Sequence, residues 1–179
     1  MEVASCELSG VLLIRPRVFR DGRGLFYETY ERRRYQAAGV DAEFVQDNHS
    51  RSLRGTLRGL HYQIEQAQGK LVWVTQGDVF DVVVDLRRSS PTFGQAMSTR
   101  LSEENREQLY IPPGFAHGFC VLSETAEFSY KCTDYYSPQH ERTLLWNDPA
   151  LGIDWPIDDP LLSDKDRQGV PLAEAATYA

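Results

Sequence analysis

The chain has 179 residues, enough for one domain that buries roughly 70% of its unfolded surface, and its hydrophobic content of 41% is that of an ordinary water-soluble protein. A net charge of −7 argues against a nucleic-acid partner. The three cysteines, Cys6, Cys120 and Cys132, are odd in number and far apart, which excludes a disulfide framework and points to reduced thiols in the cytoplasm; no apolar run reaches membrane-spanning length, and the N-terminus has no leader pattern.

In chain order, residues 11–19 are β-branched and read as a strand, with Pro16 imposing an edge or a bend. Residues 21–24 form a turn, and 25–30 a second strand. Residues 31–38 read as a short helix closed by Gly39 at C′. Residues 44–52 form a strand with Gln46, Asn48 and Ser50 on one face. Strands follow at 56–63, 70–75 and 79–86, the last with Phe80, Val82, Val84 and Leu86 on one side and Asp81 and Asp85 on the other. Residues 95–101 and 108–111 are further strands, and Pro112, Pro113 and Gly114 make a stiff turn. Residues 117–122 and 126–136 are expected to pair as a hairpin across 123–125. That strand would set Phe128, Tyr130, Cys132, Asp134 and Tyr136 on one face. Residues 149–179 form an irregular tail with a short helix near Asp164. Many short strands punctuated by Gly and Pro indicate an all-β fold, an antiparallel jelly-roll sandwich or barrel with a few short peripheral helices. The composition shows no break, so 1–179 is expected to be a single domain with its core over about 10–148.

The chemistry concentrates in residues 55–70, which hold Arg58, His61 and Lys70 among three glycines. Cupin-type barrels bind metal through a pattern G-x5-H-x-H-x3–4-E-x6-G, and Gly55 and His61 fit its start. The next ligand position is Gln63, however, and the carboxylate position is Lys70, a cation that repels a divalent metal. In the second half Pro112, Gly114 and His117 fit, but the asparagine expected four residues later is Val121. With two of four ligands lost, no metal is expected. A histidine free of metal can act as a base near neutral pH, and Lys70 can stabilise an enolate oxygen. An acid on the opposite face would complete an epimerisation, and the strand after residue 126 offers Tyr130 and Tyr136. Arg23, Arg58, Gln46, Asn48, His117, Glu28 and Glu141 add polar groups suited to phosphate and hydroxyl contacts. No P-loop, dinucleotide fingerprint or nucleophile elbow is present, so no cofactor is expected. One geometric conflict stands: Arg58 and His61 are three apart, which in a regular strand sets them on opposite faces. Either Gly59 marks a bulge or Arg58 precedes the strand.

The motifs Phe19-x-Asp21-x-Arg23-Gly24-x-Phe26-x-Glu28, Gln46-Asp47-Asn48-x-Ser50, Gly55-x-Leu57-Arg58-Gly59-Leu60-His61-x-Gln63, Lys70-Leu71-Val72, Ser90-Pro91-Thr92-Phe93-Gly94, Ile111-Pro112-x-Gly114-Phe115-Ala116-His117-Gly118-Phe119, Tyr130-Lys131, Trp146-Asn147-Asp148 and Trp155-Pro156 occur in order. Over about residues 10–166 the chain resembles the dTDP-4-dehydrorhamnose 3,5-epimerase family. The resemblance implies a cupin-like jelly roll, a homodimer whose N-terminal strands reach the partner's sheet, a dTDP-4-keto sugar substrate and no cofactor. It implies His61 as general base, Tyr130 as general acid, Asp166 as the carboxylate paired with His61, and Lys70 as the cation near the C4 oxygen. Arg23, Glu28, Gln46, Asn48, Arg58, His117, Glu141 and Lys165 match nucleotide- or sugar-contacting positions, and Tyr136 matches the residue that stacks on thymine. A mono-epimerase acting at C3 or C5 alone shares this set, and a non-catalytic nucleotide-sugar-binding cupin is the alternative from another class.

Overall fold

Thirteen short strands are folded into two antiparallel sheets and one isolated ribbon in the computed structural model, which describes residues 1–179. The strands are β1 (Glu2–Ser5), β2 (Leu12–Arg15), β3 (Val18–Asp21), β4 (Gly24–Tyr27), β5 (Gln46–Leu53), β6 (Leu57–Gln63), β7 (Lys70–Gln76), β8 (Asp78–Asp85), β9 (Ala96–Ser102), β10 (Gln108–Ile111), β11 (Phe115–Val121), β12 (Thr125–Cys132) and β13 (Glu141–Thr143). Helix α1 spans Arg32–Ala37 and α2 spans Asp164–Arg167. One sheet has six strands in the order β1-β2-β10-β7-β12-β5, and the other has five, β13-β6-β11-β8-β9. The fold is an all-β, cupin-like jelly roll.

The side-chain alternation of the strands produces the layers. Between the sheets lies an apolar core that includes Val72, Val74, Val79, Val83, Phe119 and Phe128. The opposite faces of the same strands are also buried. Ile14, Leu71 and Tyr110 turn outward from the six-stranded sheet and pack under α1 through Tyr35 and Val40. Leu57, Leu60, Tyr62, Val82 and Val84 turn outward from the five-stranded sheet and are covered by the tail through Leu151, Trp155 and Ala175. The tail is therefore a packed layer, irregular in backbone but not in role.

Most elements fall where the sequence predicts them. Helix α1 is capped by the Glu31 carboxylate, which accepts from the backbone N–H groups of Arg33 and Arg34, and Gly39 follows it with φ +98°. The first expected strand bends at Pro16 and Arg17 and divides into β2 and β3, which join different sheets. Two expectations are corrected. β11 and β12 do not pair as a hairpin: β11 pairs with β6 and β8, and β12 with β5 and β7. The two strands cross from one sheet to the other and meet face to face, with the Phe119 and Phe128 rings stacked at 4.2 Å. In addition β12 ends at Cys132, so Tyr136 lies in the following loop and not on the strand face shared by Phe128 and Tyr130. β1 and β13, which are too short to show periodicity, were not foreseen.

The conflict between Arg58 and His61 resolves at Gly59. Arg58 lies within β6, and between His117↔His61 and Phe119↔Arg58 the register shifts, with Gly59 and Leu60 of β6 opposing Gly118 of β11. This is a bulge. It leaves Leu57 and Leu60 both in the outer apolar layer and sends Arg58 and His61 both inward. A side chain is impossible at Gly59, where φ is +133° and an added Cβ would stand 2.5 Å from the Gly118 Cα.

Candidate active site

A cavity of about 380 Å³ opens between the two sheets. One wall is the six-stranded sheet, which contributes Gln46, Asn48 and Ser50 from β5, Lys70 from β7, and Phe128, Tyr130 and Cys132 from β12. The other wall contributes Arg58, His61 and Gln63 from β6, His117 and Phe119 from β11, and Glu141 from β13. Tyr136 and Lys165 complete the rim from the loop after β12 and from α2. Alternation accounts for the lining: on β5 and β12 every second residue points between the sheets, and near this end those residues are polar.

His61 Nε2 lies 2.5 Å from Asp166 Oδ1. The carboxylate is fixed by Ser163, the N-cap of α2, whose hydroxyl donates to Asp166 Oδ2 at 2.7 Å while accepting from the Asp166 N–H. Burial pulls His61 below the ordinary histidine value against the pull of Asp166, and Lys165 and Lys70 add to the downward push. Burial alone would raise Asp166, but its hydrogen bond with His61, the Ser163 hydroxyl and nearby Lys165 hold it below the usual carboxylate range. The result is a neutral imidazole with an ionised partner behind it.

Lys70 reaches to 3.4 Å from the His61 carbonyl oxygen, to which it donates. Burial lowers its value, against the negative influence of Cys132, Glu141 and Asp81. On the same wall as Lys70 and facing His61, Tyr130 is raised by burial, with Arg58 pulling the other way, so its phenol is protonated at neutral pH. Arg58 donates from Nε to Ser52 Oγ at 3.0 Å, which points its guanidinium along the cavity. At the rim Lys165 donates to Glu141 Oε1 at 2.8 Å and the Tyr136 hydroxyl donates to Glu141 Oε2 at 2.9 Å.

Of the residues singled out in the sequence, His61, Tyr130, Lys70, Gln46, Asn48, Arg58, His117, Tyr136, Glu141 and Lys165 line this one cavity, and Asp166 stands directly behind His61. Arg23 and Glu28 do not join them within the chain: Arg23 pairs with Asp21 in the β3–β4 ribbon and Glu28 with Arg34. Sequence reasoning missed Asp81. Its carboxylate, wholly buried, accepts from His117 Nε2 at 2.9 and 3.1 Å, a second histidine–carboxylate pair behind the cavity wall. The signal lay in Asp81 and Asp85 interrupting an apolar run, since a carboxylate buried in such a strand requires a partner inside. Ser163 was also missed, because it lies in the irregular tail, where no strand or long helix supplies a period to read.

A family model for dTDP-4-dehydrorhamnose 3,5-epimerase matches residues 5–174. The dTDP-4-dehydrorhamnose 3,5-epimerase of Pseudomonas aeruginosa is 62% identical over 180 residues, covering 99% of each chain. Among solved structures, the dTDP-6-deoxy-D-glucose-3,5-epimerase of Legionella pneumophila in complex with dTDP-4-keto-L-rhamnose is similar with a TM-score of 0.94 and 49% identity, over 98% of this chain and 94% of that one. A 3′-monoepimerase from Streptomyces bikiniensis in complex with dTDP-quinovose is similar with a TM-score of 0.87 and 36% identity, over 94% of this chain and 86% of that one. With a paired histidine and a tyrosine on facing walls, and matches that run nearly end to end, this chain belongs to the dTDP-4-dehydrorhamnose 3,5-epimerase family.

Proposed function

We propose that the chain epimerises dTDP-4-dehydro-6-deoxy-D-glucose at C3 and C5 to give dTDP-4-dehydro-L-rhamnose, using its own side chains alone. The observation that carries this reading is His61, backed by Asp166 at 2.5 Å, on one wall of a cavity whose other wall holds Tyr130. The C4 ketone acidifies the hydrogens on C3 and C5. His61 removes one as a proton, and the electron pair left behind moves onto the C4 oxygen, where the Lys70 ammonium stabilises it. Asp166 keeps the imidazole oriented and stabilises the imidazolium that forms. Tyr130 then delivers a proton to the opposite face of the carbon, which inverts it. After His61 and Tyr130 exchange protons with solvent and the ring repositions, the same pair acts on the second carbon. Contacts to the nucleotide hold the substrate meanwhile: Arg58 grips the diphosphate, Tyr136 stacks on the thymine, and Gln46, Asn48, His117, Glu141 and Lys165 bind sugar or base.

The enzyme works as a homodimer in this reading, with Arg23 in the β3–β4 turn and Glu28 just after β4 reaching the partner's cavity. That ribbon pairs with neither sheet and exposes Phe19, Leu25 and Phe26, which supports an interface role. The three unpaired thiols support a cytoplasmic setting.

Incubation with the dTDP-4-keto sugar in deuterated water tests the activity. Deuterium at both C3 and C5 is expected. Label at one carbon alone would assign the chain to the mono-epimerases, a reading that the similarity to the Streptomyces enzyme keeps in view. Label at neither would remove epimerisation altogether.

A further inference from the structure

Gln63 stands two residues beyond His61 on β6, at the place where a metal-binding cupin would carry its second histidine. Its amide is almost fully buried. Nε2 donates to the Gln66 carbonyl at 2.8 Å and to the Tyr135 carbonyl at 3.2 Å, while Oε1 accepts from the Ser137 N–H at 2.7 Å. The side chain thus grips the backbone immediately before and immediately after Tyr136. Tyr136 is itself 51% exposed, so packing does not hold its ring in place. Its remaining ties are its N–H to Gln46 Oε1 and its hydroxyl to Glu141, both at 2.9 Å. Behind Gln63 the strand is itself restrained, since the Tyr178 hydroxyl donates to the Gln63 carbonyl.

We propose that Gln63 is the positioning residue of the nucleobase subsite, fixing Tyr136 at a set distance from the base His61. Because His61 and Gln63 are rigidly joined along one strand, clamping the Tyr136 backbone to Gln63 sets the register between the stacked thymine and the reacting sugar carbons. The position that a metal site would use for coordination here measures out the substrate. This inference rests on the reading of Tyr136 as the thymine-stacking residue.

The test compares Gln63→Met, which fills the space without hydrogen bonds, with Gln63→Glu, which keeps the acceptor for Ser137 and loses both donated bonds. Tyr136→Ala is the control. Each is measured by steady-state kinetics on the dTDP-4-keto sugar and by calorimetric titration with dTDP. Gln63→Met is expected to raise KM and the dTDP dissociation constant in parallel by about tenfold, with kcat within about threefold and Gln63→Glu in between. If Tyr136→Ala weakens dTDP binding and neither Gln63 variant does, the clamp is overturned while the stacking role stands. If Tyr136→Ala leaves dTDP binding unchanged, the subsite reading falls and the clamp with it. A fall in kcat at unchanged KM in both Gln63 variants would also overturn it, since Gln63 would then be acting on His61.

Discussion

His61 combines two opposing influences, burial near Lys70 and Lys165 and a 2.5 Å contact with an ionised carboxylate, and burial prevails. The base form therefore persists to lower pH than for a free histidine, whose value lies near 6.5. With His61 as the proposed base, activity requires the neutral imidazole, so kcat/KM is expected above the lowered value and falls as pH drops through it. The acid limb is expected below about pH 6.5. Asp166→Asn removes the group that pulls His61 upward, so the acid limb should move lower still. At the same time kcat should fall by about 10²- to 10⁴-fold, since the imidazolium loses its counter-charge. A limb that moves upward would break the argument. His61 and Lys70 were legible as a base and a cation from the cupin pattern with its ligands broken. Asp166 was legible through resemblance alone, because neither periodicity nor spacing connects residue 166 to residue 61.

Among the elements, one tight constraint is the bulged pairing of β6 with β11. Gly59→Ala would drive a Cβ to 2.5 Å from the Gly118 Cα and 2.9 Å from the His117 carbonyl oxygen, at a φ that L-residues rarely adopt. The expected cost is about 3 kcal/mol in chemical denaturation. A larger relative loss of activity should accompany it, since relief by straightening the strand would turn either Arg58 or His61 out of the cavity. Wild-type stability and turnover in Gly59→Ala would refute the bulge as a requirement. The sequence posed this problem correctly as a choice between two answers, because period-2 alternation fixes faces. It failed on strand partners for the complementary reason. The short connection between β11 and β12 suits a hairpin, but alternation does not say which strand a face meets, and both of β11's edges are taken by β6 and β8.

For the whole molecule, a net charge of −7 coexists with a cavity that gathers Arg58, Lys70 and Lys165, so a diphosphate is drawn to one place on an otherwise acidic protein. The β3–β4 ribbon extends this logic beyond one chain. Phe26 is 70% exposed and packs on Phe19, a pair with no cover from either sheet. If the ribbon forms the proposed dimer interface, Phe26→Asp is expected to give a monomer in light scattering where the wild type is a dimer, weakening association at least about tenfold through lost apolar burial. Activity should fall with it as Arg23 and Glu28 withdraw. An unchanged dimer would place the interface elsewhere.

The separation of the catalytic pair has a temporal consequence. His61 and Asp166 lie 105 residues apart, and both sheets are complete in the chain before α2 follows. During synthesis the sandwich can close while its histidine still has no carboxylate behind it. With His61 and Asp166 as the proposed pair, competence arrives with the last segment to dock, so turnover reports the arrival of the tail rather than the formation of the two sheets.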